Sequence, residues 1–87
     1  EDWLDACIAI ATKQGHVRVL EWLVDTFSAY YEIDLLMCCQ WAAREGRIRV
    51  LKWFLDRGHR DLLLQESVLQ RAQNYQHTNV VEWLSQL

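Results

Sequence analysis

Residues 42–55 read Ala42-Ala43-Arg44-Glu45-Gly46-Arg47-Ile48-Arg49-Val50-Leu51-Lys52-Trp53-Phe54-Leu55. Two small residues, a turn glycine and an apolar run closed by Trp make a recognisable order. It stands upstream as Ala11-Thr12-Lys13-Gln14-Gly15-His16-Val17-Arg18-Val19-Leu20-Glu21-Trp22-Leu23. It returns downstream as Ala72-Gln73-Asn74-Tyr75-Gln76-His77-Thr78-Asn79-Val80-Val81-Glu82-Trp83-Leu84. Aligning Gly15, Gly46 and Gln76 gives periods of 31 and 30 residues. Self-similarity at such a period is the mark of a stacked array of supersecondary units.

Working outward from that stretch, each unit divides into two helical segments. Leu4, Cys7, Ile8 and Ala11 follow helical spacing and predict a first helix over 3–14, with those four residues on one apolar face. Gly15 ends it, because glycine accepts the left-handed backbone of a helix C-terminus. Val17 to Phe27 predicts a second helix, apolar on more than half its surface and so expected between neighbours. A connection with Tyr30-Tyr31 follows, and Asp34 is placed to cap a third helix over Leu35–Glu45. Leu35, Cys38, Cys39 and Ala42 form its apolar stripe. A fourth helix runs from about Ile48 to Arg57 and stops at Gly58. After His59-Arg60-Asp61 and Leu62-Leu63-Leu64 come a fifth helix to about Tyr75 and a sixth capped by Thr78. The expectation is therefore all-α: one domain over 1–87, made of three helix-turn-helix units at about 1–27, 28–58 and 59–87, with no strand.

Composition agrees. A hydrophobic fraction of 52% in 87 residues can supply a continuous core, and five Trp reinforce it. A buried Trp removes roughly 150–250 Å² from water. That is on the order of 4–6 kcal/mol gross. Three Cys, two of them adjacent, suggest no disulfide framework and point to a reducing compartment. An intracellular setting, cytoplasmic or nuclear, is expected. No apolar run reaches the ~20 residues of a membrane span, so no membrane partner is expected. A net charge of −3 argues against nucleic acid as the main partner. The chain begins and ends within helical pattern, which reads as a piece of a longer or processed protein.

The pattern resembles the ankyrin repeat family, whose helix-turn-helix reads roughly A-A-x-x-G-H-x-x-V-V-x-L-L-L-x-x-G. Ala42-Ala43, Gly46, Val50-Leu51, Leu55 and Gly58 match it, as do Ala11, Gly15-His16, Val19-Leu20 and Leu23, and Ala72, His77, Val80-Val81 and Leu84. It is closer to the Trp-bearing ankyrin-like repeats of water moulds and amoebae, with Trp41 before the Ala pair and Trp22, Trp53 and Trp83 in the second Trp position. The family's T-P-L-H opening falls on Ala6-Cys7-Ile8-Ala9, Met37-Cys38-Cys39-Gln40 and Ser67-Val68-Leu69-Gln70, and none matches. Its inter-repeat hydrogen bonds are therefore not expected here. The resemblance implies a solenoid that binds another protein through its concave helix face and inter-repeat loops. Some such arrays belong to pathogens, which would extend the setting to a host cell for an effector.

Candidate contact residues follow from position. Trp41 and its register partners Ile10 and Arg71 fall in the slot that the resemblance puts on the concave face. Aromatic residues are over-represented among binding hot spots. Lys13 and Arg44, with Tyr75, lie one turn further along and would form a polar rim, and Tyr30 and Tyr31 offer a loop contact. Trp22, Trp53 and Trp83 are expected as a packing stripe, with a cost of about 3–5 kcal/mol for Trp53→Ala. Residues 44–61 carry a net charge of +3, read as a solvated face with pairs such as Lys52–Asp56. The alternative is a band for nucleic acid or an acidic partner. A self-associating helical domain, a homo-oligomer, is the other alternative. No catalytic motif stands out, no CxxC pair suggests a metal, and no cofactor is expected. The reading is a non-enzymatic binding module.

Overall fold

A computed structural model describes residues 2–87. Among these the chain is entirely helical: α1 Asp2–Lys13, α2 Val17–Phe27, α3 Leu35–Glu45, α4 Ile48–Asp56, α5 Arg60–Leu63, α6 Glu66–Asn74 and α7 Thr78–Ser85. Helices α1 and α2, α3 and α4, and α6 and α7 pack as pairs. The first helices lie side by side in chain order, α3 against both α1 and α6, whereas α2 and α4 touch less closely. The molecule is elongated, 34 × 22 × 20 Å.

The turns explain the pairing. Helices α1, α3, α4 and α6 end in one motif. The amide two or three residues past the helix end bonds back across the last turn: His16 to the Ala11 carbonyl (2.8 Å), Arg47 to Ala42 (2.8 Å), His59 to Phe54 (3.0 Å) and His77 to Ala72 (2.9 Å). This 6→1 bond requires a left-handed residue just before its donor. Gly15, Gly46 and Gly58 supply three, and Gln76, at φ 60°, supplies the fourth despite its side chain. The next helix starts at once in all four turns, at His59 with the one-turn α5. His16, Arg47 and His77 sit at the N-cap with nearly the same backbone and no side-chain cap. Thr78 is thus the first residue of α7 and does not cap it. Asp34 does cap α3, its Oδ1 accepting from the Met37 amide at 3.0 Å.

The core is one continuous cluster. Leu4, Ile8 and Ala11 of α1 meet Leu20, Leu23 and Val24 of α2. Cys38, Cys39, Ala42 and Ala43 of α3 meet Val50, Leu51 and Phe54 of α4. Val68, Ala72, Val80 and Leu84 complete it. Four small residues on α3, all at most 1% exposed, allow close approach of a helix on each side. Their burial on both flanks is the physical content of the Ala-Ala pattern.

Three expectations need correction. The one-turn helix α5 occupies part of the expected connection, where Leu63, 1% exposed, fills the space between α3 and α4. Gln65 then takes an extended backbone and α6 begins. Cys7 is exposed, unlike the rest of its predicted stripe. The Trp set is not uniform: Trp53 and Trp83 are half-buried but Trp22 is 59% exposed, as α2 has no helix on its outer side.

Candidate binding cleft between α1 and α3

Trp41 stands on α3 four residues after Met37, so both share one helix face. That face borders a cleft of about 400 Å³ between α1 and α3. The buried Ile8 and Cys38 form its floor, Trp41 and Met37 its apolar wall, and Ile33 its far side. Carboxylates of Asp5, Glu32 and Asp34 stand around it, all three residues exposed. A second hollow, about 560 Å³, shares Glu32, Ile33 and Asp34 and extends to Leu36, His59 and Asp61. The segment 32–34 thus runs as a ridge between two hollows with four carboxylates nearby. Among the described residues no cation lines the first hollow, and only a histidine the second.

Lys13 reaches Trp41 from the neighbouring pair, its Nζ 5.3 Å from the ring centroid. Arg44 lies over Tyr75 in the same sense, 5.1 Å from that ring. Its Nε is buried without a hydrogen-bond acceptor among the described residues, 3.8 Å from Glu45. Each cation thus spans two adjacent helix pairs through a cation–aromatic contact. Such contacts are worth about 0.5–1 kcal/mol at exposed sites.

The other candidates are not brought to the cleft. Ile10, 56% exposed, shares a stripe of α1 with Trp3 and Cys7, away from Trp41. Arg71 is half-buried on α6. Tyr31 packs against Phe27, whose ring also meets Trp3 and Trp22 edge-on at 5.3 and 5.9 Å. Tyr30 is 79% exposed. One tyrosine therefore covers an aromatic cluster and the other faces solvent. The sequence reading missed Met37, Asp5 and Glu32, and assigned Asp34 only to a cap. The i, i+4 spacing of Met37 and Trp41 was the available signal; the acidic rim is assembled from two helices and a connection, which spacing does not reveal.

Arg44, Arg47 and Arg57 of the basic middle segment are engaged within the fold, while Arg49, Lys52 and Arg60 are exposed. Arg47 Nε donates to the Lys13 carbonyl at 2.7 Å. Arg57 grips Asp25 through both terminal nitrogens, at 2.6 and 3.4 Å, and lies 4.7 Å from the Trp53 ring centroid. Trp53 Nε1 donates to Glu21 at 3.3 Å. No Lys52–Asp56 pair forms among the described residues; the ion pair to Asp25 joins α4 to α2.

Cys38 and Cys39 thiols are pushed from the usual 9.0 to about 12. Burial is the main cause for both; the Thr12 hydroxyl partly offsets it at Cys38, and the neighbouring Cys38 adds to it at Cys39. Both remain protonated at neutral pH and supply no nucleophile. Among the described residues no group of three His, Cys, Asp or Glu is placed to hold a metal ion. Among the described residues no helix is long and apolar enough to cross a membrane. Comparison with known proteins gave no match to any family model, curated protein or solved structure.

Proposed function

We propose that the chain is a protein-interaction module, an ankyrin-like array of three helix pairs without enzymatic activity. It binds an extended segment of another protein in the cleft beside Trp41. The segment carries a lysine or arginine next to an apolar residue. The single observation that supports this reading is the cleft's composition: an apolar floor and an aromatic wall inside a rim of carboxylates. A basic side chain can lay its methylene stem on Met37 and Trp41 while its charge faces Asp5, Glu32 and Asp34. Long-range attraction raises the encounter rate. The helices already hold the wall in place, so little ordering entropy opposes binding.

Selection of random peptides displayed on phage against the full chain tests the reading. Enrichment of sequences with Lys or Arg beside an apolar residue is expected, with binding lost on Trp41→Ala and weakened on Asp5→Asn with Glu32→Gln. Acidic consensus peptides, or peptides that bind Trp41→Ala unchanged, would remove the cleft from consideration.

A further inference from the structure

Each helix pair after the first meets its predecessor through a fixed register. In the second pair the register holds Cys38, Trp41, Val50 and Trp53; in the third, Val68, Arg71, Val80 and Trp83. Cys38, Val50, Val68 and Val80 are at most 1% exposed. The same register in the first pair holds Cys7, Ile10, Val19 and Trp22. There Val19 is 50% exposed, Ile10 56% and Trp22 59%, and Cys7 is exposed too. The residue types suit a covered face, yet nothing covers it among the described residues.

Two polar contacts repeat in the same register. After the left-handed turn, Arg47 reaches back to the Lys13 carbonyl at 2.7 Å. His77 reaches back to the Arg44 carbonyl at 2.8 Å, and since a carbonyl only accepts, His77 Nε2 carries the proton. His16 holds this position in the first pair and meets only Gln14 of its own turn, at 3.3 Å. Trp53 Nε1 also finds Glu21 on the preceding pair, a contact that does not recur in the third pair, where Lys52 holds the register of Glu21.

We infer that this face of α1 and α2 receives a further helix-turn-helix pair, stacked in the sense of the two existing interfaces. The continuity of the register defines the occupant's chemistry. It presents an aliphatic ridge to Cys7, Ile10 and Val19 and a carbonyl from a helix C-terminus to His16. A second folded copy of this chain does not fit that description. The positions that would face onward, Thr12 and Val24 in the first pair and Ala43 and Leu55 in the second, become Gln73 and Ser85 in the third, both exposed. Glu82 keeps the register of Glu21, but the ridge beside it is interrupted. The array is open at one end and polar at the other.

The test fuses a copy of residues 1–31, its cysteine replaced by serine, directly ahead of residue 1 of the full chain. This restores the 31-residue period and offers Lys13, Glu21 and Val24 of the copy to the open face. Three results are expected: maleimide labelling of the native Cys7 slowed roughly tenfold or more; a single urea transition with a higher midpoint; and an m-value larger by about a third. Trp22→Ser in the native unit, an exposed position, should abolish the gain in midpoint. Unchanged Cys7 labelling with an unchanged midpoint overturns the proposal. So does a concentration-dependent dimer of the unfused chain, seen by light scattering and abolished by Trp22→Ser, since the occupant would then be a second copy.

Discussion

The imidazole of His77 rests on Gly46 so closely that a Cβ added to Gly46 would sit 2.7 Å from its Nδ1. The contact joins the turn after α3 to the start of α7, and the same ring donates to the Arg44 carbonyl. Gly46 is thus required twice, for its φ of 72° and for its missing side chain. Gly46→Ala should cost about 1–2 kcal/mol for the left-handed backbone. A further ~1 kcal/mol or more should follow from displacing the ring and its hydrogen bond. Gly58, at φ 85° with nothing within 4 Å of an added Cβ, should show the backbone part alone. Urea unfolding of the two variants checks the difference; equal losses would mean that the ring gives way freely.

Gln76 sits where the other three turns have glycine, at φ 60°. Gln76→Gly relieves that strain but loosens the unfolded chain, so a net gain of about 0.5–1 kcal/mol is expected. A higher unfolding midpoint with an unchanged m-value would show it. A loss would mean that the Gln76 side chain contributes contacts.

The tryptophans at 22 and 53 should respond differently although the sequence treats them alike. Trp53 is half-buried, donates to Glu21 and lies beside Arg57. Trp53→Ala should cost about 2–4 kcal/mol, near the low end for large core truncations. Trp22→Ala, at 59% exposure, should cost about 1 kcal/mol or less. Thermal melts of both proteins decide it.

The thiols give a pH signature. The folded state holds Cys38 and Cys39 near 12 against 9.0 for a free thiol. Unfolding therefore releases protons above pH 9, and the stability gained from keeping these thiols neutral is lost progressively between about pH 9 and 12. Below pH 9 it is fully present. Replacing both residues by Ala should flatten this fall even if it lowers stability at pH 7. Under native conditions maleimide should modify Cys7 readily and reach Cys38 and Cys39 only through opening of the fold.

Much of the fold was legible because helical turns write themselves locally. Gly15, Gly46 and Gly58 mark three helix ends, and the alignment of Gln76 with them foretells the fourth. Helix α5 was not legible. Gly58 precedes it but no Gly or Pro follows Leu63, and the break at Gln65 leaves Leu63 filling a space bounded by α3 and α4. The uneven Trp set was missed for a related reason: equal positions are buried equally only where each has a neighbour. Of the candidate site, Trp41 was singled out by its slot in the register, while its contact with Lys13 and the acidic rim depend on how α1, α3 and the segment 32–34 converge in space.

Helix α3 packs against both α1 and α6, and its small side chains are the surface on which each settles. The order of assembly can accordingly follow the order of synthesis. The first pair emerges and waits, α3 closes on it as translation proceeds, and the last pair is added to a surface already formed. An intermediate in which only the first 58 residues have emerged and folded would expose the small-residue flank of α3 that marks the place where the remaining chain belongs.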